Sequence, residues 1–108
     1  MPNIGSSLTG GTVTLEGAAI PKVYNVSAPT ANTEVSQALG TGVKKLIIAV
    51  RGGLAKAQFS FTVTESGTNY FTIPVGCSIT LDGLNMASAT LYIQTNQDSQ
   101  TIEVLEFT

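Results

Sequence analysis

From Tyr70 to Thr108 the chain runs YFTIPVGCSITLDGLNMASATLYIQTNQDSQTIEVLEFT, a chain of short alternating stretches with almost nothing between them. Successive side chains of a strand point to opposite faces, so alternation with a period of two marks half-buried strands. No segment of the sequence holds a 3.6-residue period. A single domain made of evenly spaced short strands must close into a sandwich or a barrel. The expectation is an all-β fold: an antiparallel β-sandwich of the jelly-roll or Greek-key type, with eight or nine short strands. Strand order within that class stays open.

The rest of the chain fits the same pattern. Pro21 lacks an amide proton and suits the start or edge of a strand, here Lys22–Ser27. Pro29 marks a loop. In 33–39, Val35, Gln37 and Leu39 fall on one face. Val43–Arg51 is the strongest strand, with Leu46, Ile48 and Val50 on one face and Ile47 and Ala49 on the other, which predicts a central strand covered on both sides. Lys56–Thr64 alternates so that Ala57, Phe59, Phe61 and Val63 point inward while Gln58, Ser60, Thr62 and Thr64 point outward. Residues 65–69 read as a hairpin loop. Ile73-Pro74-Val75-Gly76 suits a type I turn, and Asp82-Gly83 is a two-residue hairpin signal. The last hairpin is expected between Thr90–Thr95 and Thr101–Phe107. Most of the seven aromatic residues fall at inward positions.

Residues 1–19 differ in character. Met1–Gly11 is rich in Gly, Ser and Thr, and its apolar residues are too sparse to anchor it. It reads as an extended N-terminal arm with one short strand, Val13–Glu16, ahead of a sandwich domain at 20–108. Such an arm is either a disordered terminus or a strand donor to a neighbouring subunit's edge. The N-terminus lacks a secretory signal pattern and no apolar run approaches a membrane span, so folding in a cytoplasm is expected.

Charge is scarce: 11% of residues, with net charge −2, against about 25% in an ordinary soluble domain. Polarity comes instead from Thr (15 residues), Ser, Asn and Gln. A hydroxyl costs less to desolvate than a charge, so such a surface suits a covered contact. Lys44-Lys45 is the longest basic run, too little to neutralise duplex phosphates; neither a nucleic acid nor a membrane is expected as a partner.

Catalytic groups are sparse. There is no His or Trp, and the one Cys, Cys77, reads as a small hydrophobe in or near the core. Without His, neither a zinc site nor an activated thiolate is expected. Glu103 and Glu106 fall on opposite faces of one strand, and Asp82 and Asp98 sit in turns where Asx side chains cap their own backbone. No calcium-loop or phosphate-loop pattern is present. The expectation is a non-enzyme without metal or cofactor. Tyr70 and Tyr92 are the candidates for stacking a sugar if the domain is a carbohydrate- or receptor-binding module.

From residue 32 onward the chain carries NTEVSQAL (32–39), GVKKLIIAVR (42–51), ESGTNYFTIPVGCSITLDGLNM (65–86), ATLYIQT (89–95) and IEVLEFT (102–108). This order of motifs resembles small all-β virion structural proteins of tailed bacteriophages. The resemblance implies a capsid decoration or cement protein, bound to the major capsid protein on the capsid exterior, often as a homotrimer, and assembled in the host cytoplasm. The alternative in the same setting is a binding module of a head fibre or tail. The resemblance carries no catalytic residue. A cement protein needs many small contacts multiplied by symmetry. The candidates are Ile4, Leu8, Val13 and Leu15 of the arm, and Gln58, Ser60, Thr62 and Thr64 of the hydroxyl-faced strand.

Overall fold

A computed structural model describes residues 20–108; the arm, with Ile4, Leu8, Val13 and Leu15, lies outside the described residues. Eight strands follow in chain order: β1 (Lys22–Ala28), β2 (Val35–Ala38), β3 (Lys45–Val50), β4 (Ala57–Ser60), β5 (Phe71–Ile73), β6 (Ser78–Leu81), β7 (Thr90–Thr95) and β8 (Gln100–Phe107). They form two four-stranded sheets, ordered β1-β8-β3-β6 and β2-β7-β4-β5. We call these sheet A and sheet B.

Every pairing is antiparallel, and β1 pairs with β8, β2 with β7, β3 with β6 and β4 with β5. The chain is therefore one long hairpin, its arms β1–β4 and β5–β8, wrapped into two layers. That is the jelly roll of the two expected types. Only the β4–β5 connection stays within a sheet; all others cross between layers.

Alternation supplies the core. Leu46, Ile48 and Val50 of β3 and Ile102 and Val104 of β8 face Ala57 and Phe59 of β4 and Leu91 and Ile93 of β7, all buried. Glu106 continues the inward row of β8 and is 3% exposed. Its carboxylate accepts from the Gly40 amide at 2.6 Å and from the Tyr24 hydroxyl at 3.2 Å. Burial, then the Glu106 charge and this hydrogen bond, raise the Tyr24 pKa above its ordinary value. A Cβ at Gly40 would lie 2.8 Å from the Glu106 Oε1, so a larger residue there would displace the end of this side chain from its bonds. As the alternation requires, Glu103 is on the opposite face, where Arg51 Nε donates to it at 2.7 Å.

Several sequence expectations are corrected. β7 and β8 do not pair: β7 lies between β2 and β4, and β8 between β1 and β3. A strand has two edges, and both edges of each of these long apolar strands are taken, so Asn96–Ser99 crosses between sheets instead of closing a hairpin. Asp82-Gly83 does not reverse the chain. Leu81 opposes Leu46 and Met86 opposes Val43, so two extra residues bulge out and the strand resumes against the same partner. Gly83 supplies the positive φ (69°) that the bulge needs. In the β5–β6 turn, Pro74 is the first residue and not the second: the Cys77 amide donates to the Pro74 carbonyl, and Gly76 sits third with φ 76°, the arrangement of a type II turn. Asp98 accepts from Ala31, pinning the neighbouring loop and not its own turn, whereas Asp82 does cap Gly83.

The outer side of β3 is not fully covered. Ile47 and Ala49 line a shallow depression of about 300 Å³ with Val23, Glu103 and Leu105. Cys77 is exposed, because the type II turn ends on it and leaves it outside β6.

Candidate functional site

The region that departs most from its predicted form is 56–73. The predicted strand Lys56–Thr64 ends at Ser60, and the chain turns away through Phe61–Tyr70 before β5 begins. Phe61 and Val63 are therefore exposed, not inward. Thr62 and Thr64 leave the face that Gln58 and Ser60 share. Alternation in the sequence continues past Ser60, but the backbone does not: Thr64 adopts φ 66°. A β-branched residue at positive φ is a genuine outlier, and such strain persists only where the surroundings hold it.

Glu34, just before β2, does the holding. Its carboxylate accepts from the Thr64 amide at 2.9 Å, the Ser66 amide at 3.0 Å and the Ser66 hydroxyl. Ser66 is fully buried and also meets Gln94 Oε1 at 3.1 Å. These bonds, the Ser66 hydroxyl first, outweigh burial and lower the Glu34 pKa below its ordinary 4.5. A carboxyl held down in the folded state contributes stability above its unfolded pKa and loses it as pH falls through the lower folded value. Protection of the Thr64 and Ser66 amides, measured against their intrinsic exchange rates, is thus expected to fall as the solution is acidified through that range. In Glu34→Gln, which cannot accept three such bonds with a charge, the two amides should be weakly protected at every pH; an unchanged dependence of protection on pH in this variant refutes the latch.

The pinned loop borders an aromatic cleft. Phe59 and Phe71 stand opposite each other in the β4–β5 pair, with ring centroids 5.8 Å apart, and Phe61 meets Phe59 edge-on at 5.9 Å. Offset and edge-on rings are favourable arrangements. With Leu81 of β6, Ser60 and Asn69, these rings line a cleft of about 320 Å³ where the two sheets part. Phe71 belongs to the inner face by register yet is 59% exposed, because β5 ends its sheet there. Adjacent Tyr70 is 44% exposed.

The sequence candidates therefore scatter. Gln58 and Ser60 share the outer face of sheet B, where Gln94 donates to Gln58 at 3.3 Å and Ser60 opposes Tyr92. Tyr92 is half-buried in the middle of that sheet. Thr62, Thr64 and Tyr70 belong to the strained loop. Of the seven aromatics, Phe59 and Phe107 are buried; Phe61 is exposed against the inward expectation, and Tyr70 and Phe71 are both exposed, although adjacency in a strand required only one of them to face outward. Glu34, Ser66, Phe71 and Leu81, which build the site, were not candidates. The one available signal was compositional: Ser66–Leu81 holds no Asp, Glu, Lys or Arg.

No group of three or more His, Cys, Asp or Glu able to hold a metal occurs among the described residues, and no helix there is long and apolar enough to cross a membrane. Compared with protein families, curated proteins and solved structures, the chain matches none.

Proposed function

We propose that this chain is an assembly module that works by burying apolar surface against another protein, and that it serves as a decoration protein on the capsid of a tailed bacteriophage. The observation that carries the first part is the concentration of exposed apolar side chains at one place. Phe61, Val63, Tyr70 and Phe71 are four of the eight exposed large hydrophobic residues among those described, and they lie on or beside a loop fixed by a buried Ser and a three-bond carboxylate. Contiguous exposed apolar surface marks an interaction site, and a loop held rigid before binding loses less entropy on binding. A jelly roll hosts many functions, so the second part leans on the sequence resemblance over residues 32–108, with the major capsid protein as the partner.

The test is to band particles from a native lysate on a density gradient and count this chain against the major capsid protein. Decoration requires co-migration at a copy number comparable to the capsid lattice sites. Absence from particles overturns the virion reading. One observation favours a second reading: Tyr70 is exposed beside the Asn69 rim of the cleft, as a sugar-stacking tyrosine would be. That reading requires few copies per particle and saturable glycan binding lost in Tyr70→Ala.

A further inference from the structure

We propose that the β5–β6 side of the sandwich is a self-association surface, where the β5 edge of one copy pairs antiparallel with the β5 edge of a second copy about a two-fold axis. β5 ends sheet B, and its outer edge has no partner among the described residues. A bare edge presents unpaired N–H and C=O groups, and soluble proteins guard such edges with charge, Pro or bulges. The opposite side of this sandwich is guarded in that way at β1, where Pro21 and Lys22 open the strand. The β5–β6 side is not. From Ser66 to Leu81 there is no charged residue, and the single Pro lies in the turn after β5.

The same absence of charge points to a second copy as the occupant. In a two-fold contact each patch meets itself, so any charge near the axis meets its like, and like charges opposite each other across strands are destabilising. In a chain of net charge −2, a sixteen-residue uncharged stretch spanning both edge strands, Ser66–Leu81, meets the condition for self-contact. The outer face of sheet A does not, since Glu103 lines its depression and Lys45 and Arg51 share the outer row of that strand layer. Edge pairing centred on Thr72 satisfies the free backbone groups of both β5 strands. It also sets Phe71 of each copy opposite Ile73 of the other on the inner face, taking the aromatic residue with the highest fractional exposure out of water. The surface is part of the apolar cluster on which the proposed assembly role rests, and self-association in solution is measured without particles, so its failure is distinguishable from absence of the chain from particles.

Sedimentation of the full purified chain over a concentration series tests it. The expected result is a reversible dimer. Phe71→Lys places like charges beside the axis and should weaken dimerisation by at least about 10-fold, the effect of a central contact residue. Val23→Lys, on the outer face of sheet A, should leave it unchanged. As a second readout, wild-type chains labelled at the single thiol Cys77 with donor or acceptor dyes should show energy transfer on mixing, lost on adding excess unlabelled chain. A monomer at all concentrations, a trimer, or a dimer that survives Phe71→Lys overturns the proposal. So does a monomer whose Phe71–Ile73 amides resist exchange, which would identify the chain's own N-terminal segment as the occupant of the edge.

Discussion

Ile48→Ala is expected to destabilise the domain by about 2–5 kcal/mol, whereas Ile47→Ala, one residue away, should cost under about 1.5 kcal/mol. Ile48 has no exposed surface and lies on the inner face of β3, between β8 and β6, so truncation leaves a cavity that strands paired on both sides cannot collapse. Ile47 lies on the outer face, half-exposed, over the shallow depression. For a domain of this size the Ile48 variant should melt roughly 10–30 °C below the wild type. Calorimetry or urea titration of the pair checks both the face assignment and the central place of β3. Equal losses at the two positions would mean that the outer face is also covered, as the apolar character of both faces of this strand leads one to expect from sequence.

Glu106→Ala should cost about 2–3 kcal/mol, although it removes a charge from the interior. Truncation removes the shared, buried acceptor of two partly buried donors at once, the Gly40 amide and the Tyr24 hydroxyl. Glu106→Gln retains an acceptor for Gly40 and should lose less than half as much. The same variants report on Tyr24. Its pKa is raised by burial first and by Glu106 second, so removal of the carboxylate should bring the phenol titration partway back toward 10.0, which ultraviolet titration reads directly. A stability unchanged in Glu106→Ala would show that the Gly40 amide finds water, and that the pocket is open.

The two layers were legible because period-two alternation is a one-dimensional signal. Leu46, Ile48 and Val50 had to share a face, as did Ile102 and Val104, and both rows are buried. The strand that misled was β4. Phe59, Phe61 and Val63 continue its alternation, yet the backbone leaves the sheet at Ser60 because Glu34 and Ser66, thirty-two residues apart, gather the loop in space. Nothing local in Ala57–Thr64 encodes that contact. Asp82-Gly83 misled for a related reason. Asp-Gly supplies a positive φ, and a bulge needs it as much as a hairpin does; which one forms depends on whether the partner strand continues, and Val43 opposite Met86 shows that it does.

The sequence by itself determined the class of fold, the inward rows of β3 and β8 and the uncharged character of Ser66–Leu81, since these follow from residue type and spacing. Tertiary structure alone decided the order β1-β8-β3-β6 and β2-β7-β4-β5, the exposure of Phe71 and Cys77, and the assembly of Glu34, Ser66 and the three phenylalanines into one site. The physical reason is that alternation fixes which face a side chain takes but not which strand lies beside it. Neighbours in a jelly roll are far apart in sequence, and a half-buried residue becomes exposed or covered according to whether its strand ends the sheet.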